Sequence, residues 1–386
     1  MIKCFLCFVL VSTLALPADP HIVEYFVEKL DSSFVFIVAG FVSYLAMYRT
    51  AKTIENNWSS KAILVLLVIL FSYLVAWIPV VDSLRRSVVA LFVLYLAIGL
   101  IASSLVEPRQ CLKVYALTSV IQAAYCIIQS ATSYGGMHSA DLFRASGLSS
   151  STIIVGFFLS AALPLAAFWF IEERRFTVGV VFFILALGLL ATWSRGPIAG
   201  ATIGSIYVVC RGQFKSNANL VRAVVVLTVA SVCIAGFFAR SSTQARVNST
   251  NTSTVSRVNH WHGGLEFFWS HPLGAGPGNV ELSVKNASSK GGPDRWRSTD
   301  PKNQAILFLA SFGILGFLWF VVLVPLAVKR TIETRSYSHS GLAGVLITLA
   351  FVSLWDSPFF VSDRETLVGL FGLLTGILTR DHALGV

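Results

Sequence analysis

Charge is what this chain has least of. Only 12% of its 386 residues are Asp, Glu, Lys or Arg, about half the share of a soluble globular domain, and just 19 of them are acidic. So low a content excludes an ordinary soluble enzyme. Cysteine offers no framework either. Cys4, Cys7, Cys111, Cys126, Cys210 and Cys233 all fall in apolar segments or at their ends, where a thiol acts as a small hydrophobe, so neither a disulfide scaffold nor a metal site is expected. Internal repeats are missing, and ionisable residues are nearly absent from the middle of the apolar runs. Membrane transporters usually carry both repeats and mid-membrane ionisable residues, so these absences count against a transporter.

What is there instead is hydrocarbon. The chain is 55% hydrophobic with a mean hydropathy of +0.74. A bilayer core about 30 Å thick takes roughly 20 apolar residues per helix. Twelve runs of that kind recur, at about 4–16, 32–48, 62–81, 87–106, 112–133, 152–171, 176–193, 197–210, 221–239, 304–328, 341–360 and 366–379. Their continuity, without period-2 alternation, predicts helices and not a barrel. The expected fold is an all-α integral membrane protein of about 12 transmembrane helices. Residues 1–239 would hold helices 1–9, 240–303 one long loop, and 304–386 helices 10–12. The first run, followed by "ALPADP", reads as a retained helix, with a cleaved signal peptide as the alternative; both deliver residue 17 to the same face.

The net charge of +10 marks sidedness. With the N-terminus inside, Lys and Arg outside the long loop divide fifteen on the inner face to six on the outer, which places both termini in the cytoplasm and the long loop in the periplasm. That loop opens with the Ser/Thr/Asn-rich "SSTQARVNSTNTSTVS", read as mobile. From Arg257 the order changes: Arg257, Trp261, Leu265 and Phe268 recur at helical spacing, giving an amphipathic helix capped by Ser256 or Thr254. "HPLGAGPG" follows it. Glycine-rich backbone admits close approach and presents N–H groups, a concavity suited to phosphate oxygens, although such turns also merely connect elements.

Three outer arginines have unusual settings. Arg195 lies in "ATWSRGPIAG", a turn of about three residues between apolar runs; Arg144 precedes "ASGLSSSTIIVG"; Arg257 heads the loop helix. Singly, each fits a snorkelling arginine on lipid phosphates. Together, beside a glycine-rich loop, they make a fork-like receptor for a diphosphate. A polyprenyl diphosphate keeps its phosphates at the membrane surface and its sugar in water. An enzyme acting on it needs an apolar groove and cationic clamps to stabilise the departing diphosphate, work that arginines can do in place of a metal.

These motifs carry a resemblance. "RASGL" (Arg144–Leu148), "TWSRG" (Thr192–Gly196), Arg257 and Trp261 ahead of "HPLGAGPGNV" (His271–Val280), and "KNQAILFLASFGILGFLWF" (Lys302–Phe320) stand in the order found in the bacterial O-antigen ligase and polymerase superfamily. The resemblance covers about residues 140–320 in motif. It implies a metal-independent, cofactor-free membrane glycosyltransferase of the inner membrane. Its donor would be a glycan on undecaprenyl diphosphate. Its acceptor would be lipid A–core for a ligase, or a second lipid-linked repeat unit for an O-antigen or exopolysaccharide polymerase. A transporter of lipid-linked sugar is the reading from another class.

By residue, the resemblance implies catalytic roles for Arg195 and Arg257, with Lys302 and Asn303 at the family's catalytic pair; their settings make Arg144, His260, Trp261, His262, Gly276, Gly278 and Asp356 candidate substrate contacts. One position departs from the pattern. Lys302 stands where the family usually has histidine. A lysine near pKa 10.4 is a poor general base but can hold phosphate, so His260, His262 or Asp300 are open as proton carriers. Asp356, in "LWDSPFF", either orients Arg195, accepts from a substrate hydroxyl, or pairs with a structural cation.

Overall fold

The computed structural model describes residues 98–102, 105, 107–139, 142–149, 151–173, 175–211, 219–229, 244–274, 303–318, 320–321, 329, 340–356, 370, 373–374 and 377. In chain order they form α1 (Pro108–Thr132), the strands β1 (Met137–Ser139) and β2 (Leu142–Arg144), α2 (Thr152–Glu172), α3 (Phe176–Thr192), α4 (Arg195–Arg211), α5 (Gln244–Ser270), α6 (Gln304–Leu318) and α7 (Ser340–Trp355). A further helical stretch covers Asn219–Val229. The architecture is therefore helical, as expected. α1 to α4, α6 and α7 each overlap one of the apolar runs, and the runs at 4–16, 32–48 and 62–81 lie outside the described residues. The chain divides into two compact units, one of Leu112–Ser256 with Pro325–Asp356, the other of Met1–Cys111, Arg257–Val324 and Ser357–Val386.

In the first unit α2 is the central helix. Ser151 caps it, its Oγ accepting from Ile153 N, and nearly every residue from Thr152 to Ile171 is buried among α3, α4 and α7. From α1, the buried Tyr115 hydroxyl donates to Phe158 O at 2.7 Å. Pro164, inside α2, removes one helical N–H. Its ring lies against Gly204 of α4 and Gly344 of α7, where a Cβ on either glycine would come within 3.0 Å of it. Small residues continue this crossing: Thr348 Oγ1 donates to Gly200 O at 3.0 Å and to Gly344 O at 2.9 Å. Gly200 faces Thr348 and Val352, whereas Gly204 faces Gly344 and Thr348. α4 and α7 thus run antiparallel at close backbone approach, the packing that small residues permit between membrane helices.

The outside of this unit is apolar too. Leu117, Ile121, Tyr125 and Ile128 form an exposed stripe along α1, and Val180, Phe183 and Leu187 form another along α3. A helix apolar on its inner and outer faces suits a lipid surrounding. The helices at Arg109–Thr132 and Thr152–Glu172 are long and apolar enough to cross a membrane. Charge collects at one set of helix ends: Lys113 pairs with Glu173 at 2.8 Å, Arg175 precedes α3, and Arg211 in the last turn of α4 donates to the Tyr207 hydroxyl.

Two local features differ from expectation. α5 starts at Gln244, not near Arg257 with Ser256 or Thr254 as its cap, so the Ser/Thr/Asn-rich stretch is helical from that residue on. Those residues cost only about 0.5 kcal/mol each relative to alanine, a weak preference that continuation of a helix overrides. The hairpin, with Met137 opposite Arg144 and Ser139 opposite Leu142, is too short to show alternation in sequence.

In the second unit α6 is interrupted. Gly313 has φ 66° and ψ −163°, and the break frees Ile314 N–H from its helical partner. It donates instead to Pro272 O at 3.3 Å, in the turn that follows α5. Gly274 in that turn also has positive φ, 84°. A Cβ on Gly274 would meet the backbone of Gly313, and one on Gly313 would meet Leu273.

Candidate functional site

Arg195 is built into the reversal between α3 and α4. α3 ends at Thr192, Trp193 takes the left-handed conformation at φ 50°, and α4 begins at Arg195. A left-handed non-glycine residue costs about 1–2 kcal/mol, so the turn needs fastening. Trp193 N donates to Leu190 O, and Ile198 N to Ser194 O as the first helical bond of α4. Ser194 N donates to Thr192 Oγ1. The Ser194 hydroxyl donates to Thr152 O, at the start of α2, at 3.0 Å. Gly156 on α2 is needed for this fit, since a Cβ there would lie 2.9 Å from Ser194 Cβ.

The arginine itself stays exposed. It is the first residue of a helix whose opening turn carries the positive end of the helix dipole and backbone N–H groups. Around Gly196 there is open space, with nothing within 4 Å of an added Cβ. An exposed arginine at a helix N-terminus has the charge and the N–H groups that anion binding needs.

Arg144 is placed differently. Half-buried at the end of β2, it donates from Nε to Thr192 O at 3.2 Å and from its terminal nitrogen to Ser194 Oγ at 3.3 Å. Both acceptors belong to the turn that carries Arg195. The segment after Arg144 turns inward: Ala145, Ser146, Gly147 and Ser149 are buried, and Ala145 N donates to Ala191 O of α3. Two buried glutamines of α1 hold that segment. Gln129 Oε1 accepts from Ser146 N and Gly147 N at 3.0 and 2.8 Å, and its Nε2 donates to Gly135 O and Gly147 O. Gln122 Oε1 accepts from Leu148 N at 2.9 Å. Gly147, at φ 62°, occupies a space where a Cβ would lie 2.6 Å from Gln122 Oε1.

Asp356 follows α7, half-buried, its N–H bonded to Val352 O. Because α7 runs antiparallel to α4, it lies at the Arg195 end of the pair. Arg144, Arg195 and Asp356 therefore share one end of this unit, and Lys113, Glu173, Arg175 and Arg211 are at the opposite helix ends.

The second unit holds the other candidates. Arg257 and Trp261 on α5 are half-buried, His260 is buried at 4% exposure, and His262 is exposed. The closely packed stripe of α5 is His260, Gly263 and Gly264. It lies one residue away from the expected face of Arg257, Trp261, Leu265 and Phe268, of which Leu265 is exposed and the other three are half-buried. Asn303 caps α6: its Oδ1 accepts from Ala305 N at 3.0 Å and Ile306 N at 3.2 Å. Lys302, Gly276, Gly278 and Asp300 lie outside the described residues.

Sequence reasoning missed Gln122, Gln129, Ser194 and Gly313. The glutamines had a signal: two amides seven residues apart share one face of an apolar helix, where each must find a partner. No cluster of three or more His, Cys, Asp or Glu suited to a metal occurs among the described residues.

No curated protein matches the chain. Residues 180–321 match the family model described as O-antigen ligase, a span that includes the Arg195 turn, the whole of α4 and α5, the turn at His271–Gly274 and α6. Over that region the chain is similar to the O-antigen ligase family, in agreement with the order of its motifs.

Proposed function

We propose that the chain is a glycosyltransferase of the O-antigen ligase type, moving a glycan from undecaprenyl diphosphate to lipid A–core at the periplasmic face of the inner membrane. The observation that carries this reading is Arg195. Arg195 is exposed at the open first turn of α4, while the turn beneath it is bonded to α2 through the Ser194 hydroxyl and to β2 through the Thr192 carbonyl. In the proposed reaction a hydroxyl of the acceptor attacks the anomeric carbon of the donor sugar. The bond from that carbon to the diphosphate oxygen breaks, and the diphosphate leaves with the electron pair. Arg195 and the first-turn N–H groups stabilise the charge that develops on it, with no metal required. Arg257 is proposed as a second cation on the motif match. The hydroxyl proton needs a base; of the α5 histidines, His262 is exposed and His260 buried, so His262 is the one open to a hydroxyl.

The test is transfer by the purified chain in detergent, given a lipid-linked O-antigen donor and lipid A–core. Product with wild type and none with Arg195→Ala supports the ligase reading. Growth of the lipid-linked glycan without any transfer to core makes the chain a polymerase. Absence of transfer by the wild-type chain with either acceptor contradicts the transferase reading.

A further inference from the structure

Arg144 belongs to the motif that first suggested a diphosphate receptor, yet its guanidinium is spent on protein. Nε donates to the carbonyl of Thr192 and a terminal nitrogen donates to Ser194 Oγ. Ser194 Oγ passes the connection on, donating to Thr152 O. Three elements are thereby tied at one point: β2 through Arg144, the α3–α4 turn through Thr192 and Ser194, and α2 through Thr152. The other side of the hairpin segment is fixed to α1 by Gln129, whose amide bonds Ser146, Gly147 and Gly135. The tied turn contains the left-handed Trp193 and leads directly into Arg195. A strained turn held this way keeps its geometry only while its fastenings hold.

We infer that Arg144 is a positioning residue, which acts on substrate through the Thr192–Ser194 turn by fixing where Arg195 stands. The inference rests on the proposed role of Arg195 and deepens it. A ligand and a fastening differ in what they need from the side chain. A diphosphate ligand needs positive charge. A fastening needs an N–H at the position of Nε, and glutamine offers one, since Gln Nε2 is as many bonds from Cβ as Arg Nε. Lysine keeps the charge but has carbon at that position.

The experiment is binding of undecaprenyl diphosphate to the full chain in detergent, for Arg144→Gln, Arg144→Lys, Arg144→Ala, Ser194→Ala, the Arg144→Ala/Ser194→Ala double variant and Arg195→Ala. Positioning predicts that Arg144→Ala and Arg144→Lys weaken binding about tenfold and that Arg144→Gln stays within about threefold of wild type. The double variant should lose less than the product of its two single losses, since both act on one turn. Amide hydrogen exchange across Thr192–Arg195 should quicken in Arg144→Ala and remain slow in Arg144→Gln. Binding that follows charge, kept by lysine and lost by glutamine, overturns the inference while leaving Arg195 as the receptor. Wild-type binding by Arg195→Ala overturns both. If Arg144→Ala does not fold, the glutamine and lysine variants alone decide between the two roles.

Discussion

At the scale of single residues, the arginines of two neighbouring motifs divide by burial. Arg195 is exposed and Arg144 is half-buried on the turn beside it, which no reading of "RASGL" or "TWSRG" as strings could separate. Asn303 shows the same limit. Its place in the motif suggested catalysis, and the structure shows its Oδ1 bonded to the first N–H groups of α6. If capping is its contribution, Asn303→Asp should retain the melting temperature and Asn303→Ala should lower stability by about 1 kcal/mol, with activity following stability; activity lost in Asn303→Asp at unchanged melting temperature would point to a direct role. Gln129 carries a larger structural share. Gln129→Ala leaves the buried N–H groups of Ser146 and Gly147 without their acceptor, at about 1–3 kcal/mol each, and thermal unfolding in detergent should report a loss of that size.

At the scale of elements, the spans were legible because the length of an apolar run is set by bilayer thickness: α2 at Thr152–Glu172 and α3 at Phe176–Thr192 match their runs at both ends. The α3–α4 turn was legible for the same reason, as a short polar break between two runs. The β1–β2 hairpin was not, since three-residue strands show no alternation. Nor was the interruption of α6, because "SFGILGF" reads as helix until the turn at Pro272–Gly274 is packed on it. The glycines make this testable. Gly313→Ala and Gly274→Ala combine positive φ with backbone already in the space a Cβ needs, so both should lower the melting temperature and the yield of folded protein. On α4, Gly204→Leu should separate α4 from Thr348 and Gly344 and cost more than about 1–3 kcal/mol, whereas Gly196→Ala, in open space, should leave the melting temperature unchanged.

At the scale of the whole molecule, what the sequence lacks and what the structure displays have one cause. In a chain with 12% charged residues, the α1–α4 unit holds Lys113, Glu173, Arg175 and Arg211 at one set of helix ends and Arg144, Arg195 and Asp356 at the other. Exposed apolar stripes on α1 and α3 lie between. Labelling single cysteines placed at the two sets of ends with a membrane-impermeant thiol reagent, in a variant lacking its six native cysteines, should modify the Arg195 end from the periplasm and leave the Arg211 end unmodified.

The central claim, glycan transfer that depends on Arg195, is tested most directly by the gel profile of lipopolysaccharide from a deletion strain complemented with wild type or with Arg195→Ala. The account predicts bare lipid A–core in the deletion strain, with long polymer accumulating on undecaprenyl diphosphate, a restored ladder with wild type, and no restoration by Arg195→Ala at equal expression. Core capped by a single repeat unit in the deletion strain would make the chain a polymerase. An unchanged profile, or full rescue by Arg195→Ala, would contradict the claim.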